Sequence, residues 1–144
     1  MAAADDVGQA GRMTEATAGD VRVLVVDDQR PFRLAAAGVL RRTPGFVLAG
    51  EAGSGEDAVT QAREIRPDLV LMDIRMPGIG GVEATRQVLA EMPGTVVFLC
   101  STYERADLPV DAADSGAAAY LHKEELRPEL LGELWMRALP PPAP

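Results

Sequence analysis

Val21-Arg22-Val23-Leu24-Val25-Val26 is a short β-branched run that stops abruptly at two acids, Asp27-Asp28. A run of this length, apolar on almost every residue, reads as a strand buried on both faces. Four similar runs follow: Phe46 to Gly50, Leu69 to Met72, Val96 to Cys100 and Ala117 to Leu121. Between them the apolar spacing turns helical. Helices are expected over Phe32–Arg42, Ser54 to about Ile65, Val82–Glu91, Tyr103–Ser115 and Glu125–Leu139. Ser54, with Asp57 three residues on, is a rough capping signal. Pro109 falls inside the fourth helix and should shorten or distort it. Pro128 suits the first turn of the last, which gathers Leu130, Leu131, Leu134, Trp135 and Ala138 on one face. Five strands alternating with five helices point to an α/β fold, a five-stranded parallel sheet covered by helices on both faces.

The folded part is expected over residues 21–139. Residues 1–20 show no apolar period and read as a disordered N-terminal tail. The Pro-rich end, 140–144, cannot continue a helix. One domain is what 144 residues ordinarily make. A single Cys excludes an internal disulfide and fits a reducing, cytoplasmic setting. Met1 to Val7 carry acids and no base, unlike a secretory leader. No apolar stretch approaches the roughly 18 residues that cross a membrane. A net charge of −8 opposes a phosphate backbone, so no direct DNA binding is expected.

In a parallel sheet, ligands meet the carboxyl ends of the strands. The first run ends in Asp27-Asp28, the third in Asp73, the fourth in Ser101-Thr102, and the fifth leads through His122 to Lys123. Three carboxylates, two hydroxyls and an ammonium thus converge on one rim. Like charges about 4 Å apart repel by roughly 4 kcal/mol at an effective dielectric near 20. A hard divalent cation relieves that repulsion, and Mg²⁺ commonly takes one or two protein carboxylates. A carboxylate beside Mg²⁺ and an ammonium can attack an activated phosphoryl group, giving an aspartyl phosphate. Each residue alone has an ordinary reading: the acids as turn or cap residues, the hydroxyls as loop residues. Lys123 stands out as the sole Lys among 14 basic residues.

The segments VRVLVVDDQR, PDLVLMDIRMPGIGG, VVFLCSTYE and GAAAYLHKEE together resemble the receiver domain of bacterial two-component response regulators. The resemblance covers about residues 21–139. It implies a flavodoxin-like doubly wound fold with strand order 2-1-3-4-5. It implies that Asp73 accepts a phosphoryl group from a sensor histidine kinase, and that Asp27, Asp28, Asp73 and the backbone carbonyl of Arg75 organise Mg²⁺. Ser101 and Lys123 fall on the phosphoryl-binding positions, with Thr102 beside Ser101. Tyr120 falls on the aromatic switch position. The chain would be no enzyme beyond its own phosphorylation and dephosphorylation. Gly80 and Glu124 depart from residues many members carry, and Pro109 weakens the helix of the usual output surface. The short stretch after Lys123 leaves no room for a helix-turn-helix module. A stand-alone switch acting on an unknown downstream protein is therefore expected, with a homodimer compatible.

Three other readings compete. Gly53-Ser54-Gly55-Glu56-Asp57-Ala58 has the spacing of a dinucleotide-binding turn, but Glu56 and Asp57 would oppose a pyrophosphate. A haloacid-dehalogenase-type phosphatase needs Asp two residues after Asp27, where Gln29 stands. The last is a receiver-like interaction module that is never phosphorylated. His122, the sole His, and buried-type Cys100 read as structural, and Met72 and Met76 as core filler.

Overall fold

A computed structural model describes residues 19–104 and 108–139. All but the last two residues of the expected tail, and the Pro-rich end, lie outside the described residues. Five strands, β1 (Val21–Val26), β2 (Phe46–Ala52), β3 (Leu69–Asp73), β4 (Val96–Ser101) and β5 (Ala119–His122), form one sheet in the order β2-β1-β3-β4-β5. All pairings are parallel. Four α-helices are described: α1 (Arg30–Arg41), α2 (Gly55–Ile65), α3 (Gly80–Glu91) and α4 (Pro128–Ala138).

Period-two alternation decides which helices cover which face. Val23 and Val25 of β1, Leu69 and Leu71 of β3, Phe98 and Cys100 of β4 and Leu121 of β5 point one way, into a cluster with Ala36, Val39 and Leu40 of α1 and Leu131 of α4. Phe46 and Trp135 meet edge to face there, with ring centroids 6.1 Å apart. The intervening residues, among them Leu24, Val26, Val70, Met72, Val97 and Leu99, point the other way and pack on Ala58, Val59 and Ala62 of α2 and on Val82, Ala84 and Val88 of α3. Strands buried on both faces explain why their sequences read as continuous apolar runs.

Several element boundaries depart from expectation for physical reasons. The expected Tyr103–Ser115 helix is absent among the described residues, and only a 3₁₀ turn forms, Val110–Ala112. Pro109 sits just before that turn with extended backbone (φ −56°, ψ 143°), lacking an N–H and disfavouring helix before it. The last helix begins at Pro128 instead of Glu125, because proline forces Arg127 to extended backbone (φ −157°, ψ 161°). Lys123–Glu125 form a separate 3₁₀ turn. The fifth strand starts at Ala119, after Gly116 turns the chain at φ 97°. β2 runs on to Ala52, and between Val23 and Leu24 its register against β1 skips Ala49, an extra residue bulged out of the pairing. Ser54 caps α2 as expected, its hydroxyl accepting from Asp57 N at 3.1 Å.

Candidate functional site

Every carboxyl end on which the sequence places a polar residue opens on the same rim. Asp27 extends β1 by one step, its N–H donating to Ala52 O at 3.0 Å. Its side chain is fully buried and turns back, so that Oδ1 accepts from Gln29 N at 2.8 Å. Asp73 is the last residue of β3 and is also buried. Asp28, exposed, completes a trio whose ligand oxygens lie within 4.8 Å of one another. Lys123, one residue beyond β5, brings its ammonium to 2.5 Å from Asp27 Oδ2 and 3.3 Å from Asp73 Oδ1. A pocket of 170 Å³ is lined by Asp28, Gln29, Asp73, Arg75, Ser101, Thr102 and Lys123.

The electrostatics follow from this crowding. Burial and the neighbouring Asp27 charge push the Asp73 carboxyl up from the ordinary 3.8 to about 6, against the opposing pull of Lys123. Burial works against the Lys123 ammonium, yet Asp27 and Asp73 together outweigh it and hold the group above its ordinary range. Cys100, paired in register with Asp73, is fully enclosed, and its thiol is pushed up to about 12, chiefly by burial. That fits the inert, structural reading.

A divalent cation suits this site on chemical grounds. The three clustered side-chain donors are all hard carboxylate oxygens. Asp27 Oδ2 is buried and meets Lys123 as an ion pair, but it receives no well-aligned hydrogen bond. It therefore retains lone-pair capacity that a cation could take up.

The hydroxyl side of the rim is held ready. Ser101 Oγ accepts from Tyr103 N at 2.9 Å, which leaves its own O–H to donate. Tyr103 lies under the Arg75 guanidinium, 5.3 Å from its ring centroid. Tyr120, on the next strand, packs against the α2–α3 cluster and donates its hydroxyl to Ala112 O at 2.9 Å. It faces a neighbouring pocket of 180 Å³ shared with Ser101, Tyr103 and Leu108, so the structure places it behind the hydroxyl and not in the acidic pocket. His122 accepts from Glu124 N through Nδ1 at 3.2 Å and has Nε2 3.5 Å from Glu104, a structural role.

Sequence reasoning missed four residues. Gln29 lines the pocket. Arg33 donates to Asp27 O at 2.6 Å and to Glu51 at 3.0 Å, pinning α1 to the acidic turn. Phe32 sits under the Lys123 ammonium, 4.8 Å from its ring centroid. Gly81 lies so near the end of β3 that a Cβ there would collide with the Asp73 carbonyl. Only the last left a sequence signal, the Gly80-Gly81 pair.

Comparison with known proteins meets the same pattern. The model of the response regulator receiver domain matches residues 23–134. The response regulator GacA of Pseudomonas viridiflava is 43% identical over 103 residues, which are 72% of this chain and 48% of that protein. A protein-glutamate methylesterase/protein-glutamine glutaminase of Alkalilimnicola ehrlichii is 41% identical over 72% of this chain, but over only 27% of its own length. The chain thus spans about half or less of these relatives. The signal receiver domain of the response regulator NarL from Mycobacterium tuberculosis superimposes with a TM-score of 0.75 at 31% identity, covering 83% of this chain and 96% of that one. The response regulator domain of Thermotoga maritima CheB gives 0.73 at 30% identity, over 85% and 99%. Strand order, acidic rim and family match therefore agree that the chain belongs to the response regulator receiver domain family.

Proposed function

We propose that this receiver domain is a phosphorylation-dependent switch, loaded at Asp73 by a sensor histidine kinase. The observation that carries the reading is Asp73 itself: a carboxylate at a strand end, facing an open pocket, with Lys123 3.3 Å from Oδ1. An Asp73 oxygen attacks phosphorus while the bond from phosphorus to the donor's phosphohistidine nitrogen breaks, the nitrogen keeping the electron pair. Asp27, Asp28, Asp73 and the backbone carbonyl of Arg75 would hold Mg²⁺, which supplies neutralisation of the equatorial phosphoryl oxygens when bound. Lys123 stands beside the same oxygens as a compact charge. Ser101 donates a hydrogen bond from its O–H to the product phosphoryl group, while its oxygen goes on accepting from Tyr103 N. Thr102, next to it in the pocket wall, bounds the space the group occupies, and Tyr120 repacks behind Ser101.

Output passes through protein contacts made by the surface around residues 108–135, in a cytoplasmic setting; a homodimer is one form such contact could take. The acidic charge of the chain, −8, supports a protein partner over a nucleic acid. The domain division is part of the reading: a receiver unit over 21–139, with 1–20 and 140–144 outside it.

Intact mass after incubation with acetyl phosphate and Mg²⁺ tests the core of this. The wild type is expected to gain one phosphoryl group and Asp73→Asn none. Equal labelling of the variant would overturn the assignment.

A further inference from the structure

We propose that Phe32, on the first turn of α1, is a positioning residue for Lys123 in phosphoryl transfer; this rests on the reading of Asp73 as phosphoryl acceptor. Lys123 has a long flexible stem, yet its ammonium must sit between two carboxylates on different strands. Those carboxylates pull from one side, Asp27 at 2.5 Å and Asp73 at 3.3 Å. They hold the ammonium nearer Asp27 than Asp73 but leave it free to pivot about that closer contact, out of reach of the reacting group. The Phe32 ring closes a third side, its centroid 4.8 Å from Nζ. An aromatic face attracts a cation and offers no lone pair to compete with the carboxylates. The contact works because the site is largely shut off from water, the Lys123 side chain being only 12% exposed.

The placement of Phe32 is itself fixed. Its N–H donates to Gln29 O at 3.1 Å, and its ring packs against the cluster beneath α1 and α4. The next residue, Arg33, donates to Asp27 O at 2.6 Å. Consecutive residues of one helical turn therefore hold the two members of the Asp27–Lys123 pair, one through the backbone of the acid and one through the ammonium. A branched aliphatic side chain of similar bulk would fill the space without the attraction.

Lys123 is the sole lysine, so lysine-specific isotope labelling of the full chain gives one side-chain signal to follow. With the ring in place, the ε-methylene protons should resonate upfield of an unstacked lysine. Phe32→Leu should return them toward the unstacked position, and Phe32→Tyr should keep them shifted. The labelling rate with acetyl phosphate and Mg²⁺ should fall about five- to tenfold in Phe32→Leu and stay within about twofold in Phe32→Tyr. In that reaction an Asp73 oxygen bonds to phosphorus as acetate departs with the electron pair. Thermal midpoints of both variants separate packing loss from positioning. An unshifted lysine signal in the wild type, an unchanged rate in Phe32→Leu, or an equal rate loss in Phe32→Tyr at unchanged midpoint would each overturn the proposal. If the wild type itself takes no phosphoryl group, the Asp73 reading fails, while the lysine signal still reports whether ring and ammonium meet.

Discussion

Asp73 bears a charge that its surroundings resist, because the strand before it is wholly buried and Asp27 lies across from it. Its carboxyl keeps a proton up to about pH 6 in the native state and only to about 3.8 when unfolded. Between those values the native state binds more protons, so stability falls as pH rises, and above about 6 the full cost is present. In Mg²⁺-free buffer, Asp73→Asn should therefore be more stable than wild type at pH 7. After discounting for solvent at the pocket mouth, the gain is about 1 kcal/mol. It should shrink toward nothing as pH falls to about 4. Denaturant titrations at the two pH values read it directly; no gain at pH 7 would contradict the account. Lys123 has the opposite effect. Lys123→Ala strands a fully buried Asp27 and should cost about 2 kcal/mol, below the 3–5 of an entirely enclosed pair. Lys123→Ala combined with Asp73→Asn should recover part of that loss, a coupling that a double-mutant cycle measures.

At the scale of elements, the approach of α3 to β3 fixes where Asp73 lies. Gly81 N donates to Ile74 O at 2.9 Å, and there is no space for a side chain against the Asp73 carbonyl. Gly81→Ala must move either the helix or the strand end, at about 1–3 kcal/mol. Its phosphoryl labelling should slow, while Ser54→Ala, which only removes the α2 cap, should cost about 1 kcal/mol and leave labelling intact. Thermal melts paired with labelling rates distinguish the two. The same elements show what was legible in the sequence. Strands buried on both faces announce themselves by unbroken apolar runs, and their polar ends by what interrupts those runs, so Asp27, Asp28, Asp73, Ser101, Thr102 and Lys123 could be picked out together. Phe32 and Arg33 could not, because an aromatic and a base on an amphipathic helix look like ordinary core and surface residues until the fold brings β1 and β5 beside them. The segment after Tyr103 was legible only as trouble. Pro109 signalled distortion, yet nothing local told a bent helix from the 3₁₀ turn found at Val110–Ala112.

Across the whole molecule, β4, like β1 and β3, sends side chains into both cores. Phe98 and Cys100 are rooted in one cluster, Val97 and Leu99 in the other, and Ser101 ends the strand at the pocket. A ligand shifts such an arrangement only by its differential affinity for the two states. Beryllofluoride with Mg²⁺ should therefore alter amide exchange along 108–122 in the wild type and much less in Ser101→Ala. Unchanged exchange in the wild type would break the proposed link from pocket to surface.

The extra residue at Ala49 bears on a different matter, the behaviour of the chain at high concentration. β2 is the outermost strand on its side, and a bulge there tightens the local twist. Glu51, held by Arg33 just beyond, adds a charge to the same rim. A strand from another copy would meet a kinked, charged border on which its hydrogen-bonding groups fall out of step. The irregularity in β2 thus guards this edge of the sheet against growing into fibrous aggregates.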